Sequence, residues 1–205
     1  VAEVAQQILP GEDEEVAKEL AKSLERRGVK ILTGVELQTD TYTTGENGVS
    51  ITALHQGNEQ VLAASQMLVS IGRAANVEGI GLENTDIRVV NGNIAVNAHF
   101  QTGESHIYAI GDCIGGLQLA HAASHEGIAA AMHLAGEKGH VYDSAFIPRC
   151  VYSQPEVASV GLSESRAKEL GRSVKSAKVP FSAIGKALVE GHTEGFAKVV
   201  VDTEN

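Results

Sequence analysis

Cysteine is scarce in this chain: only Cys113 and Cys150 occur in 205 residues. Two cysteines far apart cannot form a secreted disulfide framework, and they match neither a C-x-x-C redox motif nor a zinc motif. Basic residues are also few, 16 against 26 acidic ones, for a net charge of -10. Nucleic-acid binding needs a basic face to meet phosphates, so that class is excluded as an expectation. The acidity fits a cytoplasmic protein. No apolar run approaches the roughly 20 residues of a membrane span, so no membrane is expected. No leader pattern is visible, although the first residue is Val1 rather than Met. Neither G-x-G-x-x-G nor H-E-x-x-H occurs.

The most informative stretch is Thr102 to His125, TGESHIYAIGDCIGGLQLAHAASH. It reads as a short strand over Ile107–Ile110, a sharp turn at Gly111-Asp112, and a helix from about Leu117 to Ala135 with Gly136 as cap. Gly111 has no Cβ, so a ligand can approach the backbone. Asp112 offers two acceptor oxygens, suited to a chain of hydroxyls. The helix start directs N–H groups and partial positive charge at the same place, where a ligand gaining electrons would be stabilised. His121 and His125 share one helix face and raise a metal reading. No third ligand falls at a convincing spacing, and no metal is expected.

The rest of the chain alternates elements. Glu14–Arg27 has Val16, Ala17, Leu20, Ala21 and Leu24 on one face and ends at Gly28. With Val1–Val4 before it and a buried strand over Val29–Leu32 after it, this predicts a β-α-β unit of a parallel sheet. A meander follows: Val35–Tyr42, a turn at Gly45-Glu46-Asn47-Gly48, Val49–His55, Val61–Ala63 and Met67–Ile71. An Asn91-Gly92 turn lies in a loop-rich stretch. After Pro148 come strands Cys150–Ser153 and Val157–Val160, a helix over Glu164–Leu170 capped at Ser163, and β runs at Lys175–Pro180 and Ala197–Val201. Cys150 is expected to be a small core residue. The fold class is α/β, becoming α+β at the C-terminal end.

Four segments, ILPGEDEEVAKEL, VSIGRAAN, HIYAIGDC with LQLAHAASHEG, and PRCVYSQPEVASVGLSE, together resemble the FAD- and NAD-dependent disulfide reductases. The order and spacing are the family's, and the resemblance covers nearly the whole chain. Ala75 stands where the family usually has Pro. The resemblance implies the second half of a Rossmann-like NAD-binding domain with a β-meander over residues 1–76. It implies a central FAD-contacting segment over 77–144 and part of an antiparallel dimer-interface domain over 145–205. It implies that Gly111, Asp112, Leu119, Ala120 and His121 contact FAD, with Asp112 on the ribityl hydroxyls and the Ala120 N–H facing the flavin pyrimidine carbonyl. It implies that Glu3, Val35 and Gly72 contact NAD. Glu3 would accept from the adenine-ribose hydroxyls and repel a 2′-phosphate, favouring NAD over NADP.

The implied activity is oxidation of dihydrolipoyl groups, with electrons passing through a disulfide and FAD to NAD. The implied partners are a second copy, in a homodimer, and the acyltransferase core of a 2-oxo-acid dehydrogenase complex. The family's C-x-x-x-x-C pair and its C-terminal His-Glu base are absent from this sequence. No catalytic residue is therefore expected in the chain, which reads as a central piece of a longer enzyme, inactive alone. Glutathione or mercuric ion reductases are near alternatives. A non-catalytic α/β binding or interaction module is the alternative from another class.

Overall fold

The computed structural model describes residues 1–46, 48–137 and 142–204. In chain order the elements are β1 (Ala2–Glu3), α1 (Glu14–Arg26), β2 (Leu32–Thr33), β3 (Val35–Gly45), β4 (Gly48–His55), β5 (Asn58–Ala64), β6 (Val89–Val90) and β7 (Asn93–Ile94). Then follow α2 (Ala120–Leu134), β8 (Arg149–Val151), β9 (Val157–Ser159), α3 (Glu164–Glu169), β10 (Val174–Pro180), α4 (Gly185–Glu190) and β11 (Phe196–Asp202). They form two compact units, one of residues 1–69 with 148–205 and the other of residues 70–147.

In the first unit, α1 starts where Asp13 accepts the Glu15 N–H at 3.0 Å. Glu14 and Glu15 then complement the positive helix end. Ala17 and Leu20 are buried on the expected face, and Leu20 packs with Ile8 and Val157 in a core flanked by Val16, Ala21 and Leu24. Gly28, at φ +88°, turns the chain out of the helix. β1 and β2 pair in parallel, Ala2 with Leu32 and Glu3 with Thr33. The β-α-β unit is thus present, but its second strand is displaced to Leu32–Thr33 and is half-buried rather than buried.

The meander forms as an antiparallel sheet in the order β3-β4-β5. The register slips between Gln38 and Thr43. There the Thr41 hydroxyl donates to the Gln38 carbonyl at 2.6 Å and accepts the Thr52 N–H at 2.8 Å, which satisfies the bulge. Asn47, in the expected turn, lies outside the described residues. The expected strand Met67–Ile71 is not formed. Leu68 and Ile71 are each 89% exposed, and no described strand pairs with them. An apolar β-branched run becomes a buried strand only when neighbours supply both its ladder and its cover.

Further along the same unit, β8 and β9 pair antiparallel, as do β10 and β11. Ser163 caps α3 by accepting the Arg166 N–H at 3.2 Å. The alternation of β8 turns Cys150 outward, so this residue is exposed and not core, correcting the expectation. Helix α4, ended by Gly191 at φ +72°, has no counterpart in the sequence reading. Its six residues are too few to show an amphipathic period.

Lys198, on β11, draws the starts of two helices onto that strand. Its Nζ lies 3.0 Å from Asp13, 2.8 Å from Glu15 and 3.1 Å from Glu164. Burial opposes the Lys198 charge, but the three carboxylates outweigh it and raise its pKa. Glu164 is held down to about 2, first by the Lys168 hydrogen bond, then by Ser176 and Lys198. Glu15 is lowered by Lys178 and Lys198. Lowered acids stabilise the fold above the unfolded carboxylate value and lose that contribution as pH falls through the folded value. A raised lysine stabilises below its unfolded value and loses that contribution as pH rises through the folded one. Urea midpoints should therefore stay level between about pH 5 and 10 and fall steadily from about pH 4.5 toward 2.

The second unit holds a two-strand hairpin and α2. Asn91 at φ +51° and Gly92 at φ +79° form the expected tight turn between β6 and β7. Among the described residues Ile107–Ile110 makes one bridge, Tyr108 to Gln101, flanked by bonds from the Ala109 N–H to the Phe100 carbonyl and from the Thr102 N–H to the Ile107 carbonyl, both at 3.0 Å. The expected four-residue strand is thus a shorter extended segment. Val77, Ile94 and Ala109 make one small core, and Phe100, Ala129 and Ala130 another. Among the described residues no helix is long and apolar enough to cross a membrane.

Candidate functional site

The Gly111-Asp112 turn lies in the second unit as a 3-10 turn over Gly111–Ile114. Gly111 adopts φ +76°, a conformation that glycine takes without strain. A Cβ there would stand 3.3 Å from the Ala123 Cβ of α2, so turn and helix are closely packed. Beyond this buried glycine the Asp112 side chain projects outward, about half exposed. Its Oδ2 lies 3.8 Å from the Arg73 Nη2. Arg73 belongs to the IGRAAN segment, so that segment and the GD turn meet here. Sequence reasoning singled out Gly72, at φ +134° with open space where a Cβ would stand, and passed over Arg73.

Helix α2 begins at Ala120, three residues later than expected, because Leu119 is extended at φ -130° and serves as N-cap. The Ala120 N–H is one of the first-turn donors, which have no acceptor within a helix. Among the described residues no side chain caps α2, and its first turn contains no acid. The contrast is with α1, which has both. The positive end of α2 is therefore left uncompensated by its own sequence beside the exposed Asp112 turn. Ala120 and His121 are exposed, and Leu119 is half-buried.

Beneath the turn lies a residue that sequence reasoning missed. Glu126 is 3% exposed, on the α2 face that also buries Ala122, Ala129 and Ala130. Its Oε2 accepts the Gly111 N–H at 2.7 Å, and its Oε1 accepts from the Tyr142 hydroxyl at 3.2 Å. Burial and then the Glu126 charge raise the Tyr142 phenol pKa. A lone acid on an otherwise apolar, Ala-rich helix face was the available signal.

The structure therefore brings Gly111, Asp112, Leu119, Ala120, His121 and the Gly72-Arg73 loop into one unit. Glu3 and Val35 belong to the other unit. Glu3 ends β1, and its Oε1 accepts the Ala5 N–H at 2.8 Å. Val35 opens β3 and is 1% exposed. Cys113 is half-buried, with its thiol donating to the Ile110 carbonyl at 3.2 Å. Among the described residues no group of three or more His, Cys, Asp or Glu side chains could hold a metal ion.

These elements define an α/β protein in which a helix starts beside a Gly-Asp turn, followed by a smaller antiparallel region. Residues 1–127 match the family described as pyridine nucleotide-disulphide oxidoreductase, and residues 147–205 match the dimerisation domain of the same name. The chain belongs to the pyridine nucleotide-disulphide oxidoreductase family. It is 54% identical over 204 residues to a dihydrolipoyl dehydrogenase of Bacillus subtilis, a match covering 100% of this chain and 43% of that protein. It is 42% identical to a dihydrolipoyl dehydrogenase of Zymomonas mobilis, covering 100% of this chain and 44% of the other. Among solved structures it is similar to LpdA from Mycobacterium tuberculosis, with a TM-score of 0.85 and 28% identity over 98% of this chain and 43% of that one. The HOCl-induced flavoprotein disulfide reductase RclA from Escherichia coli gives a TM-score of 0.84 at 28% identity, over 99% of this chain and 46% of that one. The chain spans less than half the length of the curated relatives it matches.

Proposed function

We propose that this chain is the central part of a dihydrolipoyl dehydrogenase, a flavoprotein that oxidises dihydrolipoyl groups and delivers the electrons to NAD. The observation that carries this reading is the pairing of an exposed Asp112 with the uncapped, acid-free start of α2. The donor set fits FAD. Asp112 would accept hydrogen bonds from the ribityl hydroxyls, and Gly111 keeps the backbone clear of the bound chain. The Ala120 N–H and the positive end of α2 would face the flavin pyrimidine carbonyl, with Leu119 and His121 beside it. An anion there gains about 0.3–2 kcal/mol from the helix end. When bound, FAD supplies the two-electron relay between dithiol and nicotinamide. Glu3, half-buried at the end of β1, would accept from the adenine-ribose hydroxyls of NAD. Val35 is buried, so it would offer only backbone atoms.

On this reading residues 1–76 belong to the NAD-binding domain, 77–144 to the FAD-binding region and 145–205 to the dimerisation domain. The whole protein is a cytoplasmic homodimer that serves the acyltransferase core of a 2-oxo-acid dehydrogenase complex. Outward-facing Val179, Val199 and Val201 on β10 and β11, about half exposed, support a partner on that face. The free thiols Cys113 and Cys150 fit a reducing compartment. They lie in different units and neither has the spacing of a redox pair, so the 205-residue chain alone should not oxidise dihydrolipoamide. The test is NAD-linked oxidation of dihydrolipoamide by the protein at its full natural length. Turnover with NAD that falls sharply with NADP supports the reading; a purified protein with no bound flavin overturns it.

A further inference from the structure

We propose that Glu126 is a positioning residue for the flavin, setting the Gly111-Asp112 turn from below through the Gly111 N–H. The inference rests on the flavin assignment just made. A carboxylate that is 3% exposed is costly unless its oxygens are satisfied. Here each oxygen has a donor, Gly111 N–H on one and Tyr142 O–H on the other. The 2.7 Å contact is a charge-assisted bond to the backbone of the residue immediately before Asp112. It anchors the amide at the start of the turn, where Gly111 is already in the left-handed region and packed against Ala123. Glu126 therefore constrains where the Asp112 carboxylate points, although Glu126 itself is buried and reaches no ligand.

Tyr142 completes the arrangement. Its ring packs edge-on against Phe100 at 5.2 Å between centroids, which fixes the direction of its hydroxyl. The acid is thus held between the turn and an aromatic pair, and it transmits the position of that pair to the turn. The charge explains why a carboxylate rather than an amide occupies the site. Two donors converge on it, and a carboxylate accepts from both without having to turn an N–H₂ group toward either.

The experiment compares FAD dissociation constants of the full-length protein and its variants by flavin fluorescence. Glu126→Ala leaves the Gly111 N–H unpaired and should weaken FAD about 10- to 100-fold. Glu126→Gln retains one acceptor for that N–H and should recover most of the affinity, to within about fivefold of wild type. The decisive reading is the double variant. If Glu126 acts through Asp112, Glu126→Ala adds less than about threefold in an Asp112→Ala background. A purely structural role would give full multiplication of the two effects, and would weaken NAD binding as much as FAD binding. Unchanged FAD affinity in Glu126→Ala, or full multiplication in the double variant, overturns the inference while the flavin assignment stands. Failure of the wild-type protein to bind FAD overturns the assignment itself.

Discussion

Asp112→Ala is expected to yield a folded protein that has lost its flavin. On the reading proposed above Asp112 accepts from ribityl hydroxyls; losing two such charge-assisted bonds, each worth about 1.5–3 kcal/mol, would lower FAD affinity at least about 100-fold. Asp112→Asn keeps one acceptor oxygen and the side-chain shape, and should lose about tenfold. Stability should barely respond. Asp112 is half exposed, and its ion pair with Arg73, at 3.8 Å, is between two exposed side chains. Such a pair contributes about 0–1 kcal/mol. The two readouts therefore separate: flavin retention collapses while the urea midpoint stays near wild type. A variant that keeps FAD at wild-type affinity would remove Asp112 from the site.

The second large effect is on stability. Lys198→Met keeps an apolar stem on β11 but leaves Asp13, Glu15 and Glu164 facing one another without their shared cation. The lysine head is only 9% exposed, whereas the acids range from 17% to 45%, so solvent relieves part of their repulsion. The expected loss is about 2–4 kcal/mol, somewhat below that of a wholly buried pair. Lys186→Met is the control. Its pair with Glu190 along α4 has side chains 76% and 48% exposed. Removing it should cost less than about 0.5 kcal/mol. The Lys198 variant should also show a shallower decline on acidification, because Glu164 and Glu15 lose a partner that lowers their pKa values. Urea titrations at neutral and acid pH check both points. Equal destabilisation by the two lysine variants would contradict the account.

What was legible in the sequence is what local chemistry dictates. Gly28, Gly111 and the Asn91-Gly92 pair each adopt the positive φ that their residue types favour, and each stands at the turn expected from it. The α1 face is set by the spacing of Ala17 and Leu20, and burial follows it. The GD turn and the helix after it were visible because a strand remnant, a glycine and an acid occur in immediate succession. What was not legible depends on residues distant in the chain. Lys198 collects acids from α1 and α3, up to 185 residues away, and no local pattern marks it. Met67–Ile71 has the composition of a buried strand, but strand formation needs partners that composition does not supply. Residue type alone points Cys150 to the core, whereas a one-residue shift in alternation decides which face it takes. Glu126 reads as one more helical residue, although an acid among alanines on the inward face requires partners.

On the reading proposed above, the Gly111-Asp112 turn and the start of α2 hold a flavin. The most direct test is the visible absorption spectrum of the protein at its full natural length, purified without added cofactor, with the released chromophore quantified. A flavin spectrum is expected, with FAD as the released species, about one per chain, and its loss in Asp112→Ala. A colourless wild-type protein that takes up no FAD on reconstitution would contradict it.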